Sequence, residues 1–142
     1  LVLQPYFEGE RTPNLPDATA TLFGMTLAST TRENLARAAI EGMLCGLADG
    51  LDAVRRLGVS ASRVLLVGGA AANPAVSRIA AEVFDAPVEV PEPGEYVALG
   101  ATVQAAWVLT GARPEWRPAT LARPTAATVP LIREQYAARA GA

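Results

Sequence analysis

Arg63-Val64-Leu65-Leu66-Val67-Gly68-Gly69-Ala70-Ala71-Ala72-Asn73-Pro74 decides how the chain reads. After Arg63 comes a short unbroken apolar run with two valines. That is the pattern of a central strand in a parallel sheet, covered on both faces. The paired glycines predict a sharp turn. Asn73 suits a helix N-cap and Pro74 the first helical position, so a helix is expected from Pro74 to about Phe84. Val88-Glu89-Val90 reads as the next strand, giving a strand–helix–strand unit with a right-handed crossover. The fold class is α/β.

A strand, a glycine turn and a helix N-terminus in that order can hold an anion or a nucleotide. Gly68 and Gly69 let backbone approach a ligand without an intervening Cβ, and the N–H groups and positive end of the next helix face the same crevice. Asn73 either caps that helix or offers its amide to the ligand. The same letters fit a tight turn whose glycines are purely steric, and both readings stand at this level. Two named loops do not fit. A P-loop needs Lys-Ser/Thr after its last glycine, where Asn73-Pro74 stands. A dinucleotide fingerprint places an acid near Glu89, but it needs alternating glycines and a third one opening the helix.

Upstream, Leu1 to Leu3 reads as the end of a strand and Gln4 to Asp17 as a loop punctuated by Pro5, Gly9, Pro13 and Pro16. Thr30-Thr31-Arg32-Glu33 fits a capping box. Apolar residues then recur at helical steps at Leu35, Ala39, Ile40, Met43, Leu44, Leu47, Leu51, Val54 and Leu57. Gly58 supplies the stop, for a helix of roughly 40 Å. On the same helix Ala38, Gly42, Gly46 and Gly50 share one face. Each mid-helix glycine costs about 0.5–1 kcal/mol against alanine, so the stripe implies close backbone packing. It serves either the core or a seam between two copies of the chain. Glu41 and Asp49 read as solvated or paired charges. Downstream, the Pro91-Glu92-Pro93-Gly94 turn leads to an uncharged helix from Tyr96 to about Leu109. Residues 112–130 carry four prolines and read as an extended connection, and a last helix is expected from Leu131 to Ala140.

The 142 residues fit one domain with a real core. The chain is 51% hydrophobic but only 6% aromatic, so that core is built from small side chains. Twelve basic and 14 acidic residues are scattered without a basic stripe, which argues against nucleic acid. Histidine is absent and Cys45 is the single cysteine, which excludes disulfides and Cys/His chemistry. Cys45, in mid-helix, reads as a small hydrophobe. Residues 96–112 hold no charge, yet 17 residues sit at the lower limit for a membrane span. A buried helix in a cytoplasmic protein is the expectation, with no membrane partner. The start in an apolar run without methionine leads to the expectation that polypeptide precedes Leu1.

Three segments resemble the C-terminal part of FGGY carbohydrate kinases, xylulokinases most closely. Pro5-Tyr6-Phe7-Glu8-Gly9-Glu10-Arg11-Thr12-Pro13 is similar to a xylulokinase loop. Ala20-Thr21-Leu22-Phe23-Gly24-Met25, eight residues, then Asn34-Leu35-Ala36-Arg37-Ala38-Ala39-Ile40-Glu41 fits the family's C-terminal signature. Gly68 to Asn73 resembles its adenosine-binding loop, with Ala70 where most xylulokinases have glycine and glycerol kinases have alanine. Glu95 to Ala101 is similar to a helix start in xylulokinases.

The resemblance implies an actin/hexokinase-like (ribonuclease H-like) ATPase fold of mixed sheet and flanking helices. It implies a C-terminal nucleotide-binding domain over residues 1–111, followed by a Pro-rich connection and terminal helix over 112–142. Gly68, Gly69, Ala70 and Asn73 would bind the nucleotide. ATP would be the cofactor, with Mg²⁺ carried on its phosphates rather than held by this chain. The γ-phosphate would pass to a sugar hydroxyl, D-xylulose giving D-xylulose 5-phosphate, with catalytic residues upstream of Leu1 in an N-terminal kinase domain. A non-catalytic nucleotide-binding or interaction module, or a glycine turn that binds nothing, are the alternatives. For the Glu10-Arg11 pair, a salt bridge pinning the loop stands against Arg11 meeting a phosphate or holding the domain cleft closed.

Overall fold

The structure, a computed structural model, describes residues 1–116 and 118–139. Its longest element is helix α1 (Arg32–Arg56), and Thr31 rather than Thr30 caps it. Thr31 has the extended backbone an N-cap requires, φ −100° and ψ 161°. Its Oγ1 accepts from the Asn34 amide at 3.2 Å. The Thr30 hydroxyl is already spent, donating to the Thr26 carbonyl at 2.7 Å inside a turn that Ser29 ties together. The box expected at Thr30 to Glu33 is therefore displaced by one residue. An amide closes it, with Asn34 Nδ2 donating to the Ser29 carbonyl at 2.9 Å. At the far end Gly58 adopts φ +87°, the left-handed stop expected of it.

The face of α1 that packs is the small one. Ala38, Gly42, Cys45 and Ala48 are buried together with Leu44. Ile40 and Leu51 are partly covered, whereas Leu35, Met43, Leu47, Val54 and Leu57 of the apolar stripe are exposed. The reason is a close approach. Strands β1 (Val2–Gln4) and β2 (Thr21–Phe23) form an antiparallel pair, and β1 runs so near α1 that a Cβ on Gly42 would lie 2.3 Å from the Leu3 carbonyl oxygen. At Gly46 the nearest atom is Tyr136 Oη at 3.9 Å, and Gly50 faces open space. Among the described residues, packing demands glycine at Gly42 but not at Gly46 or Gly50.

The second sheet has the order β3-β4-β5. Strand β3 (Val64–Leu65) pairs in parallel with β4 (Val88–Pro91), Val64 opposite Val88, and helix α2 (Pro74–Val83) makes the crossover. The strand expected over residues 63–67 pairs only at its centre, and Leu65 and Val67 are exposed rather than covered on both faces. Strand β5 (Thr120–Ala122) lies in the Pro-rich segment expected to be an extended connection, and runs antiparallel to β4. Pro118 and Pro124 bracket it, and proline is tolerated at such an edge. Helix α3 (Tyr96–Thr110) ends on Gly111 in the left-handed region. Helix α4 (Pro130–Ala137) is shorter than expected, and the expected end at Ala140 lies outside the described residues.

One core holds these pieces together: Leu44, Cys45 and Ala48 of α1, Ile79, Ala80 and Val83 of α2, Val88 of β4 and Tyr136 of α4. Burial pushes the Cys45 thiol up to about 11, which fits its reading as a small hydrophobe. Arg133 fastens α4 to α1, donating to the Cys45 carbonyl at 2.8 Å and to Asp52 at 2.7 Å, and pairing with Asp49 at 2.8 Å. Glu41 pairs with Arg37 at 2.6 Å, so both acids singled out on the long helix are paired charges. Burial also raises the Tyr136 phenol, whose Oη lies 3.5 Å from that of buried Tyr6.

Candidate functional site

The Gly68 turn follows directly from its backbone. Gly68 sits at φ +104°, a region that L side chains rarely adopt, so glycine is required there by the turn itself. Gly69–Ala72 then form a single 3-10 helical turn before α2 begins, an element the sequence did not announce. Within it the Ala71 amide donates to the Gly68 carbonyl and the Asn73 amide to the Ala70 carbonyl, each at 3.1 Å. Among the described residues the amides of Gly69 and Ala70 have no backbone acceptor. These two amides, rather than the first turn of α2, are the donors nearest the glycines.

Gly69 is a different case from its neighbour. Its φ is not in the left-handed region, and a Cβ built on it meets no atom within 4 Å. Neither the turn nor the packing of the described residues requires glycine at that position. The bare Cα opens instead onto a cavity of about 410 Å³, within the range of small-molecule sites. Gly68, Gly69, Ala71 and Ala72 form one wall. The turn from Pro91 to Tyr96 forms the other, with Leu121 of β5 at the side. The Tyr96 hydroxyl donates to the Glu92 carbonyl and so holds that second wall in shape. Among the described residues the cavity is lined by two carboxylates, Glu92 and Glu95, and by no Lys or Arg.

Of the four residues singled out from the sequence, Gly68 and Gly69 line the cavity, while Ala70 and Asn73 do not. Asn73 caps α2, its Oδ1 accepting from the Ala75 amide at 2.9 Å. No described residue accepts from its Nδ2, so capping leaves the amide donors free. The Pro91 to Tyr96 wall carried a weak signal, because Glu95-Tyr96 opens a helix directly after a turn. Leu121 carried none: it reaches the cavity only through the pairing of β5 with β4.

Two other expectations resolve plainly. The described residues show no Glu10–Arg11 ion pair. Glu10 instead accepts from the backbone amides of Arg11 and Thr12 at 2.7 and 3.0 Å, which clasps the loop without involving the guanidinium. A second opening of about 300 Å³ lies between α1, α2 and α4, where Arg55 donates to Asp85 at 2.7 Å and Arg133 to Asp52 at 2.7 Å. Among the described residues no group of three or more potential metal ligands occurs, and no helix is long and apolar enough to cross a membrane.

Residues 1–109 match the FGGY family of carbohydrate kinases, C-terminal domain. The chain is 36% identical over 107 residues to a xylulose kinase of Haemophilus influenzae, covering 75% of this chain and 22% of that protein. It is 40% identical over 112 residues to a xylulose kinase of Streptomyces coelicolor, covering 78% and 23%. Among solved structures, the xylulose kinase from Bifidobacterium adolescentis superposes with a TM-score of 0.84 at 48% identity, covering 99% of this chain and 28% of that one. Glycerol kinases and a gluconokinase are also relatives. The chain thus spans about a quarter of the length of the proteins it matches.

Proposed function

The chain belongs to the FGGY family of carbohydrate kinases, and from that premise we propose that it forms the adenosine-binding part of an ATP-dependent sugar kinase. The observation that carries this reading is Gly69. A glycine that neither backbone nor neighbours require, opening onto a cavity of about 410 Å³, leaves space for a group from outside the chain. The Gly69 and Ala70 amides supply free donors at its edge, and Asn73 Nδ2 a third within the same segment. Gly68 shapes the turn that presents them.

The acidic lining supports assigning this wall to base and ribose. Glu92 and Glu95 can accept from ribose hydroxyls or an exocyclic amine, while the same charges would repel triphosphate. The phosphates would therefore point away from this cavity, with Mg²⁺ carried on them and its protein ligands outside this chain. We place the nucleotide-binding portion in residues 1–111, buttressed by 112–142. Positioning and charge stabilisation of the transferring γ-phosphoryl group, and the base that accepts the sugar hydroxyl proton, belong to an N-terminal kinase domain. The matches to xylulose kinases support D-xylulose as the acceptor, phosphorylated to D-xylulose 5-phosphate in xylose metabolism in the cytoplasm.

The test uses a chimaera in which residues 1–142 replace the matching segment of the B. adolescentis xylulose kinase. Gly69→Val should raise the KM for ATP by about tenfold or more through a side chain placed in the cavity, with an unchanged unfolding midpoint. Asn73→Asp keeps the cap but removes the amide donors, and should also raise that KM. An ATP KM indifferent to Gly69→Val would sink the site assignment. ATP binding without phosphorylation of D-xylulose, glycerol or gluconate would favour the non-catalytic module.

A further inference from the structure

The two walls of the Gly69 cavity offer a ligand different things. On the side formed by Gly68, Gly69, Ala71 and Ala72, the Gly69 and Ala70 amides can donate. The facing turn brings Glu92 and Glu95, and an ionised carboxylate only accepts. Neither carboxylate has a hydrogen-bond or ion-pair partner among the described residues. Glu92 serves the turn through its backbone, its amide donating to the Ala119 carbonyl at 2.9 Å and its carbonyl accepting from the Tyr96 hydroxyl. Glu95 stands at the N-cap of α3, yet its side chain makes no capping hydrogen bond. Ser, Thr, Asp or Asn would satisfy an amide of the first turn there. The helix therefore does not account for a carboxylate at this position, just as the turn does not account for glycine at Gly69.

We propose that Glu95 reads the sugar of the nucleotide, accepting from its 2′- and 3′-hydroxyls and so selecting ribonucleotides over 2′-deoxyribonucleotides. The inference rests on the functional reading above and adds a specificity-determining residue to it. A ribose diol presents two donors on adjacent carbons, and the two oxygens of one carboxylate can accept them together. The adenine amine, a single nitrogen, engages one oxygen and uses half of what Glu95 offers. An acid on ribose hydroxyls is also the device of dinucleotide-binding folds, on a different loop. A 2′-deoxyribose keeps one donor and leaves the other oxygen unmatched under the bound ligand. A site built for a hydroxyl rejects an analogue without it, because its own polar groups are then left unpaired. Leu121, at the side of the cavity, offers the base an apolar surface.

The test is isothermal titration of ADP, 2′-deoxy-ADP and GDP into the same chimaera, a binding readout that needs no turnover. The parent chimaera should bind ADP about tenfold or more tighter than 2′-deoxy-ADP. Glu95→Gln keeps the size of the side chain and exchanges one accepting oxygen for a donor. Because Glu95 is exposed, this variant should unfold at the parent's midpoint. It should weaken ADP by about tenfold and 2′-deoxy-ADP by about threefold or less, closing most of the gap. Glu92→Gln should leave the ratio where it was. Equal weakening of both nucleotides by Glu95→Gln overturns the proposal, since a structural role at the start of α3 acts on both alike. So does a loss confined to GDP, whose base also carries two adjacent N–H donors, and so does a ratio that follows Glu92 instead. Gly69→Val separates the inference from its premise. If Gly69→Val abolishes ADP binding while Glu95→Gln leaves the ratio unmoved, only the role of Glu95 is refuted. ADP binding indifferent to Gly69→Val refutes the site and the proposal together.

Discussion

Three glycines lie on one face of α1, and their replacement by alanine should have opposite signs. At Gly42 the added Cβ would lie 2.3 Å from the Leu3 carbonyl oxygen and 3.2 Å from Leu3 C and Cβ. Relaxed carbon–oxygen contacts are about 3.3 Å or longer, so helix and strand must separate by about 1 Å. The obstacle is backbone, which cannot rotate aside. Overpacking of this kind costs about 1–3 kcal/mol, and the helix recovers about 0.5–1 kcal/mol from losing a glycine. Gly42→Ala should therefore destabilise by about 1–2 kcal/mol. At Gly50 nothing lies within 4 Å, and at Gly46 the nearest atom is Tyr136 Oη at 3.9 Å. Both alanines should stabilise by about 0.5–1 kcal/mol. The assay is urea unfolding followed by circular dichroism, read as midpoint shifts at constant slope. The gap between Gly42→Ala and Gly50→Ala should correspond to roughly 6–10 °C in melting temperature. Destabilisation of similar size at Gly42, Gly46 and Gly50 would refute the reasoning, because it would mean that the whole stripe is packed against a partner.

Three further outcomes are expected. Arg133→Met leaves the Cys45 carbonyl, Asp49 and Asp52 without their shared donor; it should cost ~1–2 kcal/mol and speed exchange in α4 ahead of α1. Cys45, with its thiol pushed up to about 11 by burial, should resist iodoacetamide at pH 8 in the native chain and react at once in urea; rapid native labelling would contradict its placement in the core. The Arg55 guanidinium, through its hydrogen bond, holds the Asp85 carboxyl below the usual carboxylate range. A depressed carboxylate contributes stability that is present above its unfolded value, near 3.9, and lost as pH falls through the folded one. The stability difference between the native chain and Asp85→Asn should accordingly shrink below about pH 4, and a difference that grows on acidification would contradict the sign.

The candidate site shows where letters suffice and where they do not. Gly68 and Asn73 could be read directly, because a positive φ and a helix cap are demands made within a few residues of chain. Gly69 could not be separated from Gly68 by its letter. Only the empty space around its Cα shows that the turn would accept another residue there. The Thr30/Thr31 ambiguity is of the same kind. Either hydroxyl could cap α1, and the choice was settled by the Thr26 carbonyl accepting from the Thr30 hydroxyl. Glu92, Glu95 and Leu121 reach the cavity through the parallel pairing of β3 with β4 and the return of β5, pairings that no local pattern encodes.

By itself the sequence determined the strand–turn–helix unit, the long helix with its glycine stop, the uncharged helix after the Pro91 turn and the family resemblance. Each of these depends on propensities, caps and motifs that act over short stretches of chain. The tertiary structure decided which side of each helix is covered. The small face of α1 packs because β1 comes within reach of Gly42, and of its large apolar residues Leu44 is buried while Leu35, Met43, Leu47, Val54 and Leu57 are left outside. Helix α3, expected to be buried, stands exposed among the residues described. Periodicity marks a face as apolar, but burial requires a second surface, and where that surface lies is fixed by contacts between segments far apart in the chain.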